Sequence, residues 1–208
     1  MCLDDYIVSC IDKEPPLLAT LNRKAHIDLL RPRMIAGHLQ GRILKMLVRM
    51  QQPKRILEIG TYTGYATLCL AEGLPEDGEI HTIEIDDEME DFIRNQFEQT
   101  VLKNKIHLHT GDALEMIPRL EGSFDMVFID ADKRDYCEYY ESVFDKVRKG
   151  GIILADNTLW NGKVLEEPHP NDKQTIGIIR FNEMIAKDTR IEKVILPLRD
   201  GLTVIYKK

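Results

Sequence analysis

The sequence predicts an α/β protein: a doubly wound, mostly parallel sheet of seven strands, with an antiparallel final strand and extra helices at the N-terminus. Three observations predict it. Helical and strand-like segments alternate through most of the 208 residues, the pattern of a parallel sheet with crossover helices. The first strand leads through Gly60-Thr61-Tyr62-Thr63-Gly64 into a helix. The last two strands are separated by Asp200-Gly201, a hairpin signal. A chain of this length suffices for one full-sized domain and is short for two. The expectation is therefore a single domain over 1–208, with a helical cap at 1–52 and the sheet at 53–208.

The elements follow in order. Leu3, Tyr6, Ile7 and Cys10 fall on one helical face, and Pro15-Pro16 interrupts. A second helical stretch is broken by Pro32, and Ile35 to Met50 has the apolar spacing of an amphipathic helix. Strands are predicted at Arg55–Ile59, Glu79–Ile85, Lys105–His109, Phe124–Ile129, Ile152–Ala155, Ile191–Leu196 and Leu202–Tyr206. Phe124–Ile129 is apolar enough to be buried on both faces. Helices are predicted from Gly64 to about Glu72, Asp87 to Leu102, after Gly111 to Leu120, Lys133 to Arg148 and Thr175 to Lys187. Gly150-Gly151 reads as the stop of the helix before it. Val164 to Lys173, with Pro168 and Pro170, reads as a mobile loop able to shape substrate access.

Composition narrows the function. The formal net charge is −7 and the pI about 5.4, which disfavours binding of a nucleic-acid backbone. Cys2, Cys10, Cys69 and Cys137 form no CxxC pair, so free thiols in a reducing cytoplasm are expected. Asp4 and Asp5 stand where a secretion signal needs basic residues. No stretch approaches the roughly 20 apolar residues of a membrane span.

Ligands of such sheets sit beyond the C-terminal strand ends. Glu58 to Gly64 has Tyr62 where the dinucleotide fingerprint has its middle glycine. The turn therefore suits a nucleoside without a bulky diphosphate. Glu84 ends the second strand and suits a ribose, whose two hydroxyls a carboxylate can accept. Asp112 opens a helix, either as its N-cap or beside an adenine edge.

Asp130 ends the fourth strand, and Asp156 and Asn157 end the fifth. In a parallel sheet those ends are neighbours. Three oxygen donors without His or Cys suit a hard cation, Mg²⁺ first and Ca²⁺ or Mn²⁺ next. About three coordination positions are left for water or substrate. Lys133 follows closely. A lysine beside a metal ion can act as a general base, while acidic neighbours favour its charged form. Base and orienting group both stay open. Trp160, the one tryptophan, serves either as an aromatic substrate wall or as core. The six histidines show no ligand spacing that competes with the carboxylates, and His107 and His109, on one strand face, read as packing or surface residues.

The segments LEIGTYTGYATLCLAEGLP, IHTIEIDDE, GDALEMIP, FDMVFIDADKRDY and DNTLWNGKV resemble the cation-dependent O-methyltransferases. That family includes caffeoyl-CoA O-methyltransferases, bacterial relatives and, more distantly, catechol O-methyltransferase. The resemblance covers roughly residues 25 to 208, and the opening segment is most similar to the bacterial members. It implies the Rossmann-like methyltransferase fold and S-adenosyl-L-methionine as cofactor. Glu58, Gly60, Thr61 and Tyr65 would line its methionine end. Glu84 would hold the ribose, Asp112 and Ala113 would flank the adenine, and Asp132 would make a further contact. The resemblance also implies Asp130, Asp156 and Asn157 as metal ligands and Lys133 as the base. Trp160 and Asn161 would wall the substrate, a small aromatic diol. Ala36 and Gly37 replace a threonine-serine pair of the plant enzymes, removing hydroxyl contacts to the cofactor. The plant insertions have no clear counterpart, which argues against a CoA ester. The family commonly forms homodimers, and the apolar N-terminal helices offer a surface for one. Two other readings compete: an NAD-dependent oxidoreductase, disfavoured by Tyr62, and a non-catalytic nucleoside- or metal-binding module.

Overall fold

The computed structural model describes residues 3–29 and 31–208. Cys2, expected as a free thiol, and Leu30, expected in the second helical stretch, lie outside the described residues. The order is α1 (Leu3–Cys10), α2 (Pro16–Asp28), α3 (Gly37–Gln51), β1 (Arg55–Ile59), α4 (Tyr65–Gly73), β2 (Glu79–Glu84), α5 (Glu90–Phe97), β3 (Ile106–Thr110), α6 (Ala113–Met116), β4 (Phe124–Ile129), α7 (Tyr136–Phe144), β5 (Val147–Asp156), α8 (Lys173–Lys187), β6 (Ile191–Leu196) and β7 (Leu202–Lys207). The seven strands form one sheet in the order β3-β2-β1-β4-β5-β7-β6. β2 with β3, β1 with β4, and β4 with β5 pair in parallel, whereas β7 is antiparallel to both β5 and β6. The expected mostly parallel sheet with an antiparallel final strand is therefore present.

The chain divides into two compact units, one of residues up to 54 with 61–110, the other of 55–60 with 111–208. In the first, α3 turns Leu44 and Val48 inward to zero exposure. α4 is apolar nearly all round and buried on most of its surface, as a helix without a polar face must be. Arg42, itself buried, donates to Glu72 at 2.8 Å, so its charge is matched. The charged helix is shorter than its composition predicts: α5 ends at Phe97 rather than Leu102. Beyond it the Thr100 hydroxyl accepts from the Leu102 amide at 3.2 Å. A threonine side chain that satisfies a nearby backbone N–H competes with the helical ladder.

In the second unit β4 is buried along nearly its whole length. Tyr136, Tyr140 and Phe181 fill the contact between α7 and α8. Tyr136 meets Phe181 edge-on at 5.5 Å, an arrangement worth about 0.5–1.5 kcal/mol beyond its buried area. Here the sequence reading needs a correction. The seventh helix stops at Phe144, not Arg148, and Gly150-Gly151 lies inside β5. Val147 pairs with Phe124, and the next register pair is Met126 with Ile152. The extra residues of β5 therefore loop out as a bulge at Gly150, whose φ is +77°. Glycine clusters end helices and build strand bulges alike, and only the strand register separates the two. The sheet's order reverses between β1 and β4, both in this unit, so the crevice expected of an open α/β sheet starts at their C-terminal ends.

Candidate active site

Gly60 follows β1 with a φ of +99°. A Cβ there would stand 2.1 Å from the Asp130 carbonyl oxygen and 3.2 Å from the Ala131 Cα. Glycine is therefore required twice, for the backbone conformation and for the approach of the β4 end. The Asp130 amide donates to the Ile59 carbonyl at 2.9 Å, which ties the two strand ends together.

Beyond β4, the buried Lys133 pairs with the partly exposed Asp130. Lys133 is 6% exposed, and its Nζ donates to Asp130 Oδ1 at 2.8 Å and to Tyr136 Oη at 2.7 Å. The Tyr136 hydroxyl in turn donates to the Asp156 carbonyl at 2.9 Å. One hydrogen-bonded chain thus links Asp130, Lys133 and Tyr136 to the C-terminal end of β5. Burial, reinforced by the charges of Asp130 and Asp156, pushes the Tyr136 hydroxyl well above its ordinary value. It stays a neutral donor. The lysine turn is pressed from behind by α8: a Cβ on Gly177 would lie 2.3 Å from the Lys133 carbonyl oxygen.

Asp156 is buried at the end of β5, and Asn157 follows with φ +59°. Trp160, Asn161 and Gly162 are three consecutive residues with φ between +48° and +77°. A bulky residue such as tryptophan adopts that conformation only where its surroundings impose it. They do so from the β6–β7 hairpin. The Asp200 carbonyl accepts from the Leu159 amide at 2.8 Å and the Trp160 amide at 3.3 Å, and the Gly201 carbonyl from the Thr158 amide at 3.1 Å. The Asp200 carboxylate also accepts from the Asn161 amide. The Trp160 Nε1 is buried and has no hydrogen-bond partner, an open donor beside the strand ends.

The residues expected at the cofactor divide between the units. In the first, Glu84 Oε2 accepts from the Tyr62 amide at 2.6 Å and Oε1 from the Asp86 amide at 3.0 Å. Its carboxylate thereby holds Tyr62 at φ +50°, and each oxygen keeps a further lone pair. Thr61 and Tyr65 point inward: the Thr61 hydroxyl meets that of Thr82 at 2.5 Å, and the Tyr65 hydroxyl donates to Glu14 at 2.5 Å. In the second unit, Glu58 is fully buried within β1 and Ala113 is buried in α6. Asp112 is exposed and caps α6 by accepting from the Leu114 amide at 2.8 Å. Asp132 caps the next turn and pairs with Arg134. The Arg134 guanidinium holds its carboxyl below the usual range, against the opposing effect of burial.

Tyr136, Gly177 and Asp200 are absent from the sequence-predicted site. Tyr136 lies three residues after Lys133, a spacing that signals one face of a turn. Gly177 and Asp200 are 44 and 39 residues from the groups they position, and no local pattern marks them. The histidines of β2 and β3 also lie together. Glu79, His81 and His107 place ligand atoms within 4.8 Å of one another, because the parallel register sets His81 beside His107.

An open α/β sheet binds its ligands beyond the C-terminal strand ends, where Asp130, Lys133 and Asp156 stand. A profile of the O-methyltransferase family matches residues 8–208. The catechol O-methyltransferase of Niastella koreensis is 34% identical over 201 residues, covering 94% of this chain and 90% of that protein. Caffeoyl-CoA O-methyltransferase 1 of Arabidopsis thaliana is 35% identical over 176 residues, covering 79% of this chain and 68% of that protein. In structure, the O-methyltransferase TomG from Streptomyces achromogenes, involved in tomaymycin synthesis and solved in complex with SAM, superposes with a TM-score of 0.92. It is 32% identical, over 99% of this chain and 96% of that one. The chain belongs to the O-methyltransferase family.

Proposed function

We propose that this protein transfers a methyl group from S-adenosylmethionine to one hydroxyl of a small aromatic vicinal diol, with a divalent cation at Asp130, Asp156 and Asn157. The observation that carries the reading is the hydrogen-bonded chain from Asp130 through the buried Lys133 and Tyr136 to the Asp156 carbonyl, at the ends of two adjacent parallel strands. Family membership supports methyl transfer, and the cofactor held by TomG supports S-adenosylmethionine. Glu84 is assigned to the ribose, Asp112 and Ala113 to the adenine, and Glu58, Gly60, Thr61, Tyr65 and Asp132 to the rest of the cofactor, as the sequence resemblance implies. Of these, Thr61 and Tyr65 contribute through backbone placement, since their hydroxyls are already engaged.

The donor set fits a hard cation: three oxygen groups, with no nitrogen or sulfur. Mg²⁺ is the best match, with Ca²⁺ and Mn²⁺ as alternatives. A cation held by Asp130, Asp156 and Asn157 would supply Lewis acidity toward the substrate hydroxyls. Lys133 Nζ lies in contact with Asp130 and is the group placed to take or steer the departing proton. Tyr136, neutral and fixed by Asp156, holds the amine in that position. Trp160 and Asn161, locked by the hairpin, form the wall against the aromatic ring. The reaction is a displacement in which the substrate oxygen gains the methyl carbon, the sulfonium loses it, and the hydroxyl proton leaves. Orienting the two reactants supplies much of the acceleration. The full chain 1–208 is read as one catalytic domain, active as a homodimer in the cytoplasm. The free thiols Cys10, Cys69 and Cys137 support a reducing compartment. Among the described residues no helix is long and apolar enough to cross a membrane.

The test is transfer of labelled methyl from S-adenosylmethionine to a catechol panel, with Mg²⁺ and again with chelator. Transfer abolished by chelation is expected. Transfer that survives chelation rejects the cation's role, and none to any diol rejects the substrate class.

A further inference from the structure

The first unit carries a second constellation of ligand atoms that methyl transfer does not use. Glu79 and His81 begin β2, one residue apart on the same face, and His107 is the register partner of His81 on β3. Glu79 Oε1 lies 3.2 Å from His81 Nε2, and Oε2 lies 3.3 Å from His107 Nε2. All three ligand positions fall within 4.8 Å of one another. In a tetrahedral site with bonds of 2.0–2.1 Å, ligand atoms stand about 3.3 Å apart. Each oxygen of the Glu79 carboxylate stands at that spacing from one imidazole nitrogen. The His81 and His107 rings stack with centroids 4.8 Å apart, so a small side-chain adjustment brings the third ligand into place. His81 Nδ1 shares a hydrogen bond of 3.0 Å with His109 Nε2. That outer partner fixes the ring and leaves Nε2 as the ligand atom, the arrangement usual around ligating histidines. His81 is 14% exposed, while Glu79 and His107 are 37% and 43% exposed. The site is thus anchored inside and reachable from solvent.

We propose that Glu79, His81 and His107 bind a borderline transition-metal ion, Zn²⁺ by best fit, at the N-terminal ends of β2 and β3. Two imidazoles and one carboxylate match zinc rather than the hard cations suited to an all-oxygen set. The site lies at the opposite end of β2 from Glu84, five residues or about 16 Å along the strand. It acts by clamping β3 to β2, and it stands whether or not the proposed methyl transfer does.

The experiment titrates Zn²⁺ into chelator-stripped protein against a chromophoric competitor. It is run on wild type, His107→Gln, His109→Gln and Asp130→Asn. With excess Mg²⁺ present to fill the site proposed at Asp130, one equivalent of Zn²⁺ should bind. Loss of an outer partner typically costs 10- to 100-fold in affinity, so His109→Gln should weaken binding by about that factor and His107→Gln by about 100-fold or more. Asp130→Asn should leave it unchanged. Co²⁺ in place of zinc should give the visible bands of a four-coordinate site, lost in His107→Gln. His107 is exposed, so its variant folds. No uptake by wild type, which would mean that the cluster holds only protons, overturns the proposal. So does uptake that survives His107→Gln or is lost in Asp130→Asn.

Discussion

Lys133 is held between a carboxylate and a phenol, both within 2.8 Å of its nitrogen. Burying a cation costs several kcal/mol unless it is paired and hydrogen-bonded. The fold meets that requirement with Asp130 and Tyr136 and so keeps an amine at 6% exposure. Lys133→Met removes the amine with little change of volume. Turnover is expected to fall by between about a hundredfold and ten-thousandfold, the usual worth of a positioned acid or base, with cofactor affinity within a factor of about two. Calorimetric titration with S-adenosylmethionine and initial rates measure the two separately, and turnover close to wild type would remove Lys133 from the reaction. The placement of Asp130, Lys133, Asp156 and Asn157 at the ends of β4 and β5 was legible in the sequence, because chemistry-bearing residues at strand ends stand out against apolar strands. The hydrogen-bond partners of Thr61 and Tyr65 were not. Their side chains turn to Thr82 and Glu14, partners that only the folded chain supplies.

At the scale of elements, α8 decides where the lysine turn sits, through the Gly177 approach. Its own start depends on Asp172, which accepts from the Thr175 amide at 3.1 Å and hydroxyl at 2.8 Å. The Thr175 side chain is the main cause of a carboxyl held down at about 2, with the Thr175 amide and Lys163 adding to it. A depressed carboxylate stabilises the fold above its unfolded value, about 3.9. That contribution is lost as pH falls through the folded value. Fraying of the first turn of α8 is therefore expected to grow between about pH 4 and pH 2, read as loss of amide protection at Thr175. Asp172→Asn should keep the cap and remove most of that acid dependence. An unchanged profile in the variant would show that other groups govern the acid response. Element type was legible from periodicity almost throughout. The boundaries that failed, at Phe97 and at Gly150-Gly151, were decided by a threonine hydroxyl and by strand register, neither of which periodicity records.

Across the whole molecule, the sheet was legible because alternation, buried strands and an Asp-Gly turn all point to one topology. The Glu79–His81–His107 grouping was not, since two of its members are 26 residues apart and meet only through β2–β3 register. The N-terminal helix leaves Leu3 and Tyr6 at 72% and 58% exposure, apolar surface that self-association would cover. Light scattering should give a mass near twice the 24.0 kDa chain. A Leu3→Glu, Tyr6→Glu double variant should halve it, and a dimer that persists in the variant places the interface elsewhere. The β6–β7 hairpin has a different reach. It contributes none of the assigned groups, yet its turn holds Trp160 and Asn161, two of the three left-handed residues of their loop. Under the proposed function, in which Trp160 and Asn161 wall the substrate, grafting another relative's loop onto this scaffold is expected to change which substrates are accepted without touching a reacting atom. On that proposal the hairpin and the loop together form one exchangeable cassette.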